Sequence, residues 1–108
     1  MISSLDKTTI DEIVRRIVEA AHPDRVILFG SAAAGEMTQD SDVDLLVLES
    51  SPGNPREESI RIRDALAGVA LPFDIIVIST ERFDETKLTV GGIAYPANKY
   101  GTVIYEAA

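Results

Sequence analysis

Two apolar runs, Val43–Leu48 and Phe73–Ile78, are separated by more than twenty residues that carry helix signals of their own. The separating segment contains Asn54-Pro55-Arg56-Glu57. That is a side-chain cap, a proline at the first helical position where a missing N–H costs nothing, and an acid in the first turn. Ile62, Leu66 and Val69 follow as an apolar stripe, and Pro72 ends the segment. A connection of that length with a helix inside it suits a parallel crossover between two buried strands. A third run, Val26–Phe29, is joined to Val43–Leu48 by a shorter segment, where antiparallel pairing is easier. A mixed sheet is the expected outcome.

The flanks supply the covering helices. Thr9-Ile10-Asp11-Glu12 has the form of a capping box. Ile10, Ile13, Val14, Ile17, Val18 and Ala21 then recur at helical spacing up to Pro23, which predicts a helix over 9–21. Ala32, Ala33 and Ala34 favour a short helix over 32–36. Ser79 or Thr80 can cap another through Phe83, and Ile93 to Lys99 reads as a last helix before Gly101. Thr102–Glu106 is a final strand. The expected class is α/β (α+β), a mixed β-sheet flanked by helices in the order α-β-α-β-α-β-α-α-β. The 108 residues suit one domain over 1–108.

Composition narrows the function classes. No apolar run approaches the roughly 18 residues of a membrane span, and the first residues, MISSLDKTT, lack a basic flank and an apolar core of a leader. Cysteine is absent, which excludes disulfides and thiolate metal sites and fits a cytoplasmic protein. The single histidine, His22, excludes a multi-histidine metal site. A net charge of −8 argues against sequence-independent nucleic-acid binding and permits divalent cations or a basic protein partner.

Three acids interrupt the apolar runs. Asp42 and Asp44 stand two apart at the head of one strand, hence on the same face and roughly 7 Å apart between Cα atoms. Asp74 lies between Phe73 and four consecutive apolar residues. Aspartate is a poor strand former, and neighbouring carboxylates repel. The predicted topology brings Gly30, Asp42, Asp44 and Asp74 to one sheet edge. A divalent cation explains such a cluster, since Mg²⁺ takes carboxylate oxygens together with water and substrate phosphates. Gly30-Ser31 is the complement: a glycine lets backbone come close to a ligand, and a serine at a helix start offers donors to phosphate.

Gly30-Ser31, ten residues, then Asp42-Val43-Asp44 resembles the GSX10DXD signature of the DNA polymerase beta-like nucleotidyltransferase superfamily. The chain is most similar to its minimal nucleotidyltransferases, and Phe73-Asp74-Ile75 matches the third acid of that family. The resemblance implies that Gly30 and Ser31 hold triphosphate. It implies that Asp42, Asp44 and Asp74 are catalytic and bind Mg²⁺, with ATP as substrate and Asp74 helping to deprotonate an acceptor hydroxyl. It also implies a HEPN-domain toxin as partner. The protein would be its antitoxin, transferring AMP to one of its tyrosines. A hetero-oligomer is compatible with that pairing, while no direct nucleic-acid or membrane partner is expected. One departure stands out: Ala32 and Ala34 occupy positions where many relatives carry arginine, so phosphate charge would have to be met by Arg25, Arg61, Arg63 or Lys87.

Two rival readings accompany this one. In the first, the same fold neutralises its partner by contact, with weak or no catalysis, which the missing arginines favour. In the second, the acceptor is a small molecule such as an aminoglycoside, which would need more chain to build an acceptor pocket. His22 reads as a helix C-terminal residue, Arg15-Arg16 as a solvated helix face, and Tyr95, Tyr100 and Tyr105 as core or interface residues.

Overall fold

The computed structural model describes residues 5–35 and 41–108. Its elements are α1 (Lys7–Ala21), β1 (Arg25–Phe29), α2 (Ser31–Ala34), β2 (Val43–Glu49), α3 (Pro55–Ala65), β3 (Phe73–Ser79), α4 (Thr80–Thr86), α5 (Ala94–Tyr100) and β4 (Thr102–Glu106). The order is the expected one. The four strands form one sheet, β3-β2-β1-β4. β1 pairs antiparallel with both β2 and β4, and β2 pairs parallel with β3. The short and the long connections therefore have the outcomes their lengths favour.

Helix starts follow side-chain caps. Asn54 accepts from the Glu57 N–H at 3.1 Å, with Pro55 opening α3. Ser79, rather than Thr80, caps α4 by accepting from the Arg82 N–H at 3.0 Å. The predicted capping box at Thr9 is not the start of α1. Asp6 caps it one turn earlier, accepting from the Thr9 N–H at 2.8 Å, because an aspartate outcompetes a threonine already inside the first turn. His22 ends α1 in the left-handed region at φ 51° and returns its N–H to Val18. Helix α3 stops at Ala65, well before Pro72. Beyond it Gly68 lies against the Arg16 guanidinium, where an added Cβ would come within 2.8 Å. Arg16 donates to the Ala65 carbonyl at 3.1 Å, so it ties α1 to α3 and is not a solvated residue; Arg15 is the exposed one of the pair.

Side-chain parity divides the core in two. Val43, Leu45 and Val47 of β2, with Ile75 and Val77 of β3 and Val26 and Leu28 of β1, pack against Ile13 and Ile17 of α1, Ile62 of α3 and Leu66 just after it. Each such side chain contributes about 1.5–3 kcal/mol on burial. The opposite parity, Ile27, Leu46 and Leu48, packs against Phe83, Ala94 and Ala97 from α4 and α5. That second layer is incomplete, and Phe29, Ile76 and Ile78 remain half-buried. Among the described residues no helix is long and apolar enough to cross a membrane. Of the predicted short helix 32–36, Glu36 falls outside the described residues, and the helix spans Ser31–Ala34.

Candidate functional site

The incomplete layer exposes one end of the sheet. Asp44 shares strand parity with Leu46 and Leu48, and Asp74 with Ile76 and Ile78, so both carboxylates stand on the face that α4 and α5 only partly cover. The parallel register sets Asp44 directly opposite Asp74, and the antiparallel register sets Phe29 opposite Asp44 on its other side. Asp42 lies just ahead of β2, exposed, where the Val43 N–H is already bound to the Pro72 carbonyl at 2.8 Å. Two strand starts and one strand end thus place Gly30, Asp42, Asp44 and Asp74 along one edge.

Gly30 is the tightest point of that edge. It adopts φ 72° and ψ −150°, a region that side chains disfavour, and precedes the first residue of α2, Ser31. A Cβ there would collide with Oδ2 of Asp44. The glycine therefore allows the backbone to pass beneath a carboxylate, and Ser31 opens α2 immediately after it.

Electrostatics mark Asp44 as the central acid. Burial raises its proton affinity first, and the charges of Asp74 and then Asp42 raise it further. Asp44 therefore feels both other carboxylates. Among the described residues, no group of three or more acids and histidines is drawn together tightly enough to form a complete metal cage. Asp42 and Asp74 are exposed, and Asp44 between their strand positions is half-buried.

The basic residues are placed elsewhere. Arg25 starts β1, at the far end from Gly30, bound to Glu106 at 3.1 Å with its guanidinium 5.9 Å from the Phe83 ring centre. Arg61 binds Glu58 and the Ala20 carbonyl. Lys87 pairs with Asp84 at 3.5 Å. Arg63 is exposed on α3, which packs on the opposite face of the sheet. Arg25, Arg61 and Lys87 are thus engaged by residues other than Gly30, Ser31 and the three acids.

Phe29 was not singled out by the sequence reading. Its signal was parity: it alternates with Leu28 at the end of a strand whose next residue is Gly30. It supplies a half-buried apolar wall next to the acids.

Comparison with known proteins bears on the fold and the family. No curated protein matches the chain. A Sulfolobus solfataricus protein described as a nucleotidyltransferase has a similar fold, with a TM-score of 0.53 and 18% identity over 94% of this chain and 90% of that one. The family model for the nucleotidyltransferase domain matches residues 8–95, which contain Gly30, Ser31 and all three acids. The chain belongs to the nucleotidyltransferase domain family.

Proposed function

We propose that this chain is a Mg²⁺-dependent protein adenylyltransferase that moves AMP from ATP to a tyrosine hydroxyl of a HEPN-domain toxin, and so acts as that toxin's antitoxin in the cytoplasm. The observation that carries the chemistry is the Asp44–Asp74 register beside Gly30. Hard, closely spaced carboxylates suit Mg²⁺, and the proton affinity of Asp44 is raised first by burial and then by the charges of Asp74 and Asp42, which a cation would offset. Asp42, Asp44 and Asp74 would hold the metal. When bound, it would neutralise phosphate charge and polarise the α-phosphoryl group.

The residues divide the remaining work. Gly30 gives the triphosphate access to backbone, and the Ser31 hydroxyl and the N–H groups after it donate to phosphate oxygens. The half-buried face formed by Phe29 and Ile76 shields one side of the site from water. Asp74, exposed at the rim, accepts the proton of the acceptor hydroxyl. The new bond joins the acceptor oxygen to the α-phosphorus, the α–β bridging bond breaks, and pyrophosphate leaves.

A contact-only antitoxin is the second reading. It is favoured by Ala32 and Ala34 and by the engagement of Arg25, Arg61 and Lys87 away from Gly30. One experiment separates the two. The protein is incubated with its cognate HEPN partner, ATP and Mg²⁺, and the partner is weighed by mass spectrometry. Transfer predicts increments of one or more AMP units that vanish in Asp42→Ala and Asp44→Ala. Unchanged partner mass together with full neutralisation would establish the contact-only reading, and labelling that survives both substitutions would refute the assigned site.

A further inference from the structure

Glu49 ends β2 at the opposite end of the sheet from Asp44. It has the parity of Val43, Leu45 and Val47, so it points into the layer under α1 and α3. It is only 6% exposed, and its Oε2 is buried with no hydrogen-bond donor among the described residues. An isolated carboxylate in that position would be costly. The neighbour it meets from α3 is another acid, Glu58, whose side chain is 12% exposed. Glu58 is bound in turn by Arg61, and the same guanidinium donates to the Ala20 carbonyl near the end of α1. A chain of contacts therefore runs from β2 through α3 to α1, and its first link joins two acids.

We propose that Glu49 and Glu58 hold one proton between them, and that this proton makes the attachment of the α1/α3 layer to the end of β2 sensitive to pH. Two carboxylates in contact without a donor repel unless one is protonated, and the more buried one keeps the proton. Glu49 O–H then donates to a Glu58 carboxylate already held by Arg61. The surroundings favour this division. Burial, with the hydrogen bond and charge of Glu58, pushes Glu49 up to about 7. Burial also raises Glu58, but Arg61 and the Glu49 proton outweigh it and hold Glu58 below its ordinary value. The other charges acting on Glu49 are Arg61, which opposes the rise, and Asp24 ahead of β1, which adds to it. From β3 its register partner is the uncharged Ser79.

The sign follows from linkage. The folded protein binds this proton more tightly than the unfolded chain, whose glutamate has the ordinary value of 4.5. The stabilisation is complete below 4.5 and is lost as pH rises through about 7. Ionised Glu49 would then repel Glu58 and compete for Arg61, which loosens the hold on Ala20.

The test uses the whole chain in a His22→Asn background, so that no imidazole titrates; asparagine suits the left-handed backbone there. The Glu49 Cδ resonance is followed by ¹³C NMR, and melting and amide exchange are measured at about pH 5 and about pH 8. The expected results are a Glu49 midpoint near 7, a melting temperature lower by several degrees at the higher pH, and faster exchange at the end of α1. Glu49→Gln, whose amide can still donate to Glu58, should remove most of that difference and melt at or above the parent at the higher pH. A Glu49 midpoint near 4.5, or equal pH profiles for parent and Glu49→Gln, would overturn the proposal. The NMR titration needs no Glu49 variant, so it decides the matter even if Glu49→Gln does not fold.

Discussion

Gly30 passes beneath Asp44 so closely that a Cβ on the glycine would overlap the carboxylate. Its φ of 72° adds backbone strain for any side chain. Gly30→Ala should therefore cost about 1–3 kcal/mol of stability from backbone strain. It should also displace Asp44, lowering nucleotidyl transfer about 10²-fold. Denaturant unfolding and a transfer assay on the same preparation check both parts. Full activity in Gly30→Ala would show that the close approach does not position the acid.

Asp44, crowded by Asp74 and Asp42, should behave differently with and without a cation. Asp44→Asn relieves like-charge repulsion while keeping the shape, so it should melt above wild type in EDTA. Mg²⁺ should stabilise wild type by about 2.7 kcal/mol when the free ion is at 100 times its dissociation constant, and the variant much less. The two melting temperatures should converge or cross as Mg²⁺ rises. Parallel shifts would mean that these acids do not bind the ion.

Asp24 joins three connections at the far end of the sheet. Its Oδ2 accepts from the hydroxyls of Ser50 and Thr80, each at 2.6 Å, and its backbone binds Leu48 and Ala107. The Ser50 bond first, and then the Thr80 bond, hold its carboxyl below the ordinary value of 3.8. A lowered folded value means that the stabilisation is present above 3.8 and lost as pH falls through the folded value. Asp24→Ala should cost about 1–2 kcal/mol near neutral pH. Its deficit relative to wild type should shrink in acid. Urea titrations at neutral and acidic pH test this, and a deficit that is equal at both would contradict it.

Among the described residues Phe83 is the only large aromatic that is fully buried, and it packs in the α4/α5 layer with Leu46 and Leu48. Phe83→Ala should destabilise by about 3–5 kcal/mol. Because the α1/α3 layer packs on the other face, hydrogen exchange should accelerate in α4 and α5 first. Uniform acceleration across both layers would show that the faces unfold as one unit.

Much of this arrangement was legible from connection lengths and from acids in apolar company. The length of the connection between Val43–Leu48 and Phe73–Ile78 suited a parallel crossover, and the parallel pairing sets Asp44 opposite Asp74. The caps at Asn54 and Ser79 were readable because a polar side chain precedes each helix by one residue. The start of α1 was misplaced because Asp6 and Thr9 both carry capping chemistry, and only three-dimensional packing shows which is used. At the early end of α3, Arg16 from another helix donates to the Ala65 carbonyl, a contact that no local pattern records. Arg16 and Glu49 were unreadable for the same reason: their burial is set by partners distant in sequence. The destinations of Arg25, Arg61 and Lys87 were equally hidden, since long side chains choose among several acids.

The one-to-one register of β2 with β3 makes the site depend on counting. Loops can gain or lose residues in any number, because slack absorbs them. Within these two strands, removing one residue exchanges the two faces for everything on one side of the cut. A single deletion between Asp44 and Leu48 would leave the acid pointing under α1 and α3, or would send Leu46 and Leu48 there in its place. Removing a pair of residues would preserve both faces. Tolerated length changes across related chains should thus occur in loops in any number and in these strands only in even numbers, a parity constraint as strict as a reading frame.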